Sequence, residues 1–223
     1  MPYSVPVLDK GLIEVQEIFG NDLTVVNAAR VSFTKDSVEF NEEDAKLIKY
    51  LASHGHISPF FHPQIRLRLK MPIFVAREWY RHTVGFARNE ISHEYDESYP
   101  EFYIPRPREI RERDMKTPIE EAHQAWSIIK ELNKSLDTIY LQLLNMKVDP
   151  ELARTILPQG TYTEFIETAS LYDYTRLCKL RLDPEIQKEF HDYITELDRL
   201  LRISFPVSWP CLVGPLKNVS VSS

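Results

Sequence analysis

The sequence predicts an α+β domain, with a small antiparallel or mixed sheet beside a large helical part. Two observations carry this. Residues 65–71 alternate between apolar and cationic side chains, the two-residue period of a half-buried strand. The second half instead repeats helix-start signals, at Thr117-Pro118-Ile119-Glu120, Asp149-Pro150-Glu151 and Asp183-Pro184-Glu185. The length, 223 residues, suits a single domain over 1–223 with a real hydrophobic core.

In chain order, Leu23 to Ala29 reads as the beginning of a helix. Asn41 is a good N-cap, with Glu42, Glu43 and Asp44 in the first turn and Gly55 past the end, which predicts a helix near 42–54. Ile65, Leu67, Leu69 and Met71 alternate with Arg66, Arg68 and Lys70 as a strand. Pro72 then opens a helix near 73–82. Residues 100–116, rich in proline and charge, read as an irregular segment crossing the surface. Thr117 to Glu120 combines a capping box with proline at the first helical position, and a long helix runs to about Met146. Asp149 starts a short helix to about Leu157, and Asp183 a long one to about Ile203. Between them, Tyr162 to Leu180 reads as helical for most of its length. The tail after Pro215 is expected to fray.

Hydrophobic residues make up 43% and charged residues 27%, the balance of a soluble globular chain. The net charge of −6 argues against nucleic-acid binding through a general basic surface, so an anionic ligand must meet a few local arginines. No run of about 18 apolar residues predicts a membrane span. The first residues lack the basic-then-apolar order of a signal peptide. Two cysteines, Cys178 and Cys211, make no disulfide framework and fit a reducing cytoplasm. Neither Cys-x-x-Cys nor His-Glu-x-x-His occurs, so the sequence offers no metal site.

The densest chemistry follows the apolar run Met71 to Ala76. It comprises Arg77-Glu78-Trp79-Tyr80-Arg81-His82 and then Asn89-Glu90-Ile91-Ser92-His93-Glu94-Tyr95. A buried element that ends in so many ionisable groups points them at a ligand. A second feature is the pair Arg154 and Arg181, 27 residues apart. Guanidinium groups suit phosphate, and one held close to a heterocycle stabilises developing negative charge.

These segments resemble the signature of the flavin-dependent thymidylate synthases. In that family an Arg-His-Arg triplet precedes a spacer containing Asn-Glu and then a serine. Here the triplet reads Arg81-His82-Thr83, and eight residues separate Thr83 from Ser92, one more than in the family. The Arg154–Arg181 interval equals the family's. Ala28 to Ser32 and the turn Gly55-His56-Ile57-Ser58-Pro59-Phe60 resemble further family segments, so the likeness covers roughly residues 8–205.

The resemblance implies reductive C5-methylation of dUMP to dTMP with FAD, NADPH and 5,10-methylenetetrahydrofolate. It also implies a cytoplasmic homotetramer with shared active sites. It assigns FAD contacts to Ser58, Arg81, His82, Thr83, Val84, Glu90, Ser170, Tyr172 and Arg176. Nucleotide contacts fall on Glu78, Trp79, Tyr80, Arg81, Glu90, Ile91, Ser92, His93, Glu94, Arg154 and Arg181, with Arg181 polarising the uracil. The chain departs from the family at Thr83, Glu94, Ser170 and Tyr172, while Arg88 is an extra cation in the spacer. These departures keep open a C5-methylase or hydroxymethylase of a related nucleotide such as UMP, and a non-catalytic flavin- or nucleotide-binding protein.

Plainer roles stand beside these. Arg81 and His82 could be a solvated helix end, Arg154 a partner of Glu151, and Arg181 a surface partner of Asp183. His56 reads as structural, and Ser92 as positioning a ligand rather than attacking it. Cys211, Trp79, Phe86 and Trp209 read as packing groups.

Overall fold

Alternating burial in the longer strands builds the sheet. The computed structural model of the chain describes residues 3–31, 36–91, 100–114, 117–180 and 186–214, the side chains of 111–114 excepted. Strands β1 (Tyr3–Val7), β2 (Gly11–Phe19), β3 (Gln64–Pro72), β4 (Ala87–Glu90) and β5 (Tyr162–Ser170) form one antiparallel sheet ordered β1-β2-β3-β5-β4. In β3, Ile65, Leu67, Leu69 and Met71 are fully buried while Arg66 and Arg68 face outward, as the period predicts. That outer face carries ion pairs from Arg66 to Glu17 at 3.1 Å and from Arg68 to Glu164.

The helices are α1 (Asp22–Ala29), α2 (Glu42–Ser53), α3 (Ile73–Trp79), α4 (Pro107–Asp114), α5 (Ile119–Asn145), α6 (Pro150–Ala153), α7 (Leu171–Lys179), α8 (Lys188–Ser204) and α9 (Ser208–Val213). The α+β expectation is borne out. Helix α8 is the main clamp on the inner face of the sheet. It packs on β1, β2, α3 and α7 and fully buries Phe190, Tyr193, Ile194, Leu197 and Leu201. Burying one such aliphatic or phenyl side chain is worth about 1.5–3 kcal/mol. Trp209 of α9 completes this core, and its indole N–H donates to the buried Asp198 at 2.7 Å. Asn41 caps α2 as predicted, accepting from the backbone N–H groups of Glu43 and Asp44 at 2.9 and 3.2 Å. Asp149 caps α6 in the same way.

Four expectations need correction. Tyr162 to Ser170 is a strand, and only Leu171–Lys179 is helical. Glu167 points inward and Ile166 outward there, which inverts the usual polarity and hides the two-residue period. Helix α3 ends at Trp79, so Arg81 and His82 lie in the following turn. Their N–H groups still reach back to the carbonyls of Glu78 and Trp79. The long helix α5 has Pro118, not Thr117, at its cap, with no side-chain capping bond. Residues 100–114 are not simply a surface crossing. Phe102 and Tyr103 are buried, Tyr103 donates to Glu189, and α4 follows. The start signal at Asp183 lies outside the described residues; α8 begins at Lys188.

Candidate active site

One cavity opens between the turn after α3 and α7, and another where the end of β4 and the start of β5 meet α6. The smaller, about 170 Å³, is lined by Arg81, His82, Thr83, Val84, Phe86 and Arg176. The larger, about 470 Å³, has Glu90, Ile91, Glu151, Arg154 and Thr163 among its walls.

The turn after α3 shapes the smaller cavity. Gly85 takes a φ of +87°, and a Cβ placed there would fall 2.2 Å from the Asp173 carboxyl. Glycine is therefore required twice, by backbone conformation and by close approach. Arg176 bolts the turn to α7, donating to the Val84 carbonyl and to Asp173, each at 2.5 Å. Arg81 is highly exposed and pairs with Glu78 at 2.7 Å, a surface pair worth little to stability and free to exchange for a ligand anion. His82 is half-buried. Burial holds its pKa below the ordinary imidazole value, and Arg88, Arg176 and Arg81 push the same way against Glu78. Neutral His82 between two guanidinium groups makes a donor-rich rim suited to an anion.

In the larger cavity, the Thr163 hydroxyl donates to Glu90 at 2.5 Å, and the Ile91 N–H donates to the Glu164 carbonyl at 2.8 Å, extending the β4–β5 pairing. Arg154 follows α6 in a short 3₁₀ turn and is half-buried. Among the described residues it forms no ion pair with Glu151, although both line the cavity. The plainer reading of Arg154 as a helix ion pair therefore fails here. A guanidinium beside a carboxylate and threonine hydroxyls can grip a sugar and a phosphate. The Tyr80 hydroxyl is buried without a hydrogen-bond partner at ordinary geometry; burial and then the nearby Glu90 charge push its pKa up.

The structure thus brings Arg81, His82, Thr83, Val84 and Arg176 together, and separately Glu90, Ile91 and Arg154. Glu78, in the last turn of α3, pairs with Arg81 of the first group, and Tyr80, its cap residue, neighbours Glu90 of the second. Ser58 is exposed at the start of the 3₁₀ turn Ser58–Phe61, whose Pro59 and Phe60 are buried, and it lines neither cavity. Tyr172 packs on Phe61, ring centroids 5.0 Å apart. The Ser170 hydroxyl is buried as the N-cap of α7, bonded to Asp173 at 2.5 Å. The Trp79 side chain is fully buried in the core, as its composition suggested. Ser92, His93, Glu94 and Arg181 lie outside the described residues.

Arg88, the extra cation of the spacer, turns inward and pairs with the fully buried Glu167. Sequence reasoning missed Glu167. Its signal was a carboxylate flanked by β-branched and aromatic residues in Tyr162 to Ser170.

Known proteins share this chain's sequence family and its fold. The family model described as thymidylate synthase complementing protein matches residues 14–207. A flavin-dependent thymidylate synthase of Thermotoga neapolitana is 37% identical over 209 residues, covering 94% of each chain. One from Thermus thermophilus is 36% identical over 211 residues, covering 93% of this chain and 77% of its own. Among solved structures, a UMP/dUMP methylase, PolB of Streptomyces cacaoi bound with 5-Br dUMP, superposes with a TM-score of 0.79. It is 23% identical and covers 93% of this chain and 96% of its own, which shows the shared fold.

Proposed function

The chain belongs to the flavin-dependent thymidylate synthase family, and from that premise we propose that it methylates C5 of dUMP reductively to give dTMP. The observation that carries this reading is that the family's signature cations gather at two cavities, one rimmed by Arg81, His82 and Arg176, the other holding Glu90 and Arg154.

The donor set of the smaller cavity fits the pyrophosphate of FAD: two guanidinium groups, an uncharged imidazole and the hydroxyl of Thr83. Arg81, His82, Thr83, Val84 and Arg176 hold the cofactor there, with Ser58, Glu90 and Tyr172 as further contacts, while the buried Ser170 caps α7 behind them. When bound, FAD relays hydride from NADPH, while methylenetetrahydrofolate supplies the carbon. Arg154 and the segment from Glu90 through Ile91, Ser92 and His93 to Glu94 hold the nucleotide, beside Glu78 and Tyr80; Trp79, fully buried, supports them from the core. Arg181 stabilises negative charge on the uracil ring as C5 becomes nucleophilic. A guanidinium stays protonated at ordinary pH, so it acts by charge and not as a base.

The working unit is a cytoplasmic homotetramer built from single-domain chains. At about 170 Å³ the flavin-side cavity is smaller than the roughly 300–1,000 Å³ usual for a ligand site. A neighbouring chain is needed to enclose a dinucleotide. Helix α5 also exposes Ile128, Leu132 and Ile139 along one face, an apolar stripe suited to a second copy. Both cysteines are free, as suits a reducing compartment.

A second reading, methylation or hydroxymethylation of UMP or a related nucleotide, is favoured by Thr83 and Glu94, where the family usually carries arginine. The test is anaerobic. FAD-loaded protein is reduced with NADPH, then mixed with methylenetetrahydrofolate and dUMP, UMP or dCMP. Flavin reoxidation with dUMP supports the main reading, and faster reoxidation with UMP supports methylation of that nucleotide. Hydroxymethylation consumes no hydride, so it is read as a nucleotide heavier by CH₂O without reoxidation. Neither reoxidation nor a heavier nucleotide with any of them overturns both readings and leaves a binding protein.

A further inference from the structure

A carboxylate sits where the sheet ordinarily buries an apolar side chain. Glu167 faces inward on β5 between Phe165 and Ala169 and is fully buried. Three elements converge on it. Trp79 of α3 donates its indole N–H to both carboxylate oxygens at 3.1 Å. Arg88, its register partner on β4, donates through Nε. The fully buried Tyr174 of α7 lies within reach of the Glu167 charge.

Each of these elements leads to a cavity wall. Helix α3 runs into Arg81 and His82, β4 ends at Glu90, and α7 carries Arg176. The Arg88 guanidinium itself lies over two rings, 4.7 Å from the Phe86 centroid and 5.4 Å from that of Tyr80. Phe86 lines the smaller cavity, and Tyr80 neighbours Glu90 at the larger one. A buried ion pair is costly to desolvate, and a well-packed apolar pair commonly folds as well or better. Fold stability alone therefore gives little reason for a charged pair here.

We propose that Arg88 is a positioning residue: anchored on Glu167 and stacked over Phe86 and Tyr80, it fixes the His82–Phe86 turn and β4 against α3 and α7, so that the two cavities keep one relative geometry. This rests on the reading of those cavities as the flavin and nucleotide sites. Its charge also acts on His82. Burial is the largest influence opposing protonation there, then Arg88, with Arg176 and Arg81 adding to it and Glu78 opposing.

The experiment compares Arg88→Met, Arg88→Lys and the double variant Arg88→Met/Glu167→Leu, which removes the pair without stranding either charge. Two quantities are read on each protein: FAD affinity by fluorescence quenching, and the His82 titration in flavin-free protein by NMR with labelled histidine, assigned through His82→Gln. The double variant should regain thermal stability yet bind FAD about tenfold more weakly, the scale of coupling within one salt-bridge network. Its His82 midpoint should rise. Arg88→Lys should keep the midpoint low. A double variant that matches the wild type in both FAD affinity and His82 midpoint would reduce the pair to a folding device and overturn the proposal. If the wild-type protein binds no FAD, the flavin reading fails on its own, and the His82 midpoint alone decides the role of Arg88.

Discussion

At His82, burial and three neighbouring guanidinium groups act in one direction, toward the neutral ring. The folded-state pKa therefore lies below the unfolded value of about 6.5. As pH falls below that value the unfolded chain takes up a proton that the folded chain resists, so acidification destabilises the fold. Replacing His82 with Gln should flatten this part of the stability–pH curve, measured by urea unfolding between neutral and mildly acidic pH. An unchanged slope would mean that His82 titrates normally. Arg181 offers a kinetic counterpart. Arg181→Ala should lower turnover by about 10²–10³ while leaving FAD content near normal, the usual effect of removing one charge-stabilising group. Wild-type turnover would remove Arg181 from the ring-activating role. Arginines were legible from sequence because their spacing is a pattern. Glu167 was not, because its importance lies in where β5 points it, and a lone glutamate in a chain has no such address.

Among the elements, β3 was plain from sequence because its buried and exposed residues alternate without exception from Ile65 to Met71. Strand β5 was misread because Glu167 stands on the buried side and Ile166 on the exposed side. The residue that disguises the strand is the one on which α3, β4 and α7 converge. The turn after α3 was also illegible, since it depends on contact with α7, far along the chain. Gly85 tests that contact. Gly85→Ala must adopt a left-handed conformation, at about 1–2 kcal/mol, and must displace the Asp173 carboxyl 2.2 Å away. Moving Asp173 frees Arg176 and disturbs the Ser170 cap of α7. The variant should unfold at lower urea concentration and bind FAD more weakly. Wild-type values for both would show that the turn is not held as described.

At the scale of the whole molecule, the α+β architecture followed from one strand pattern and repeated helix starts, whereas sheet order did not, because strand neighbours such as β3 and β5 lie far apart in sequence. The proposed assembly rests on the exposed stripe on α5 and the small cavity beside Arg81 and Arg176. Light scattering should report about four times the 26.2 kDa of one chain; a stable, active monomer would refute shared sites. No helix among the described residues is long and apolar enough to cross a membrane. The most direct test of the central claim is the mass of the nucleotide after reaction. Protein, FAD, NADPH, methylenetetrahydrofolate and dUMP are incubated together, and the pyrimidine nucleotide is weighed by mass spectrometry. The account predicts a product heavier than dUMP by one CH₂ unit on the base. Recovery of unmodified dUMP from protein that has bound FAD, or a product carrying an added oxygen, would contradict it.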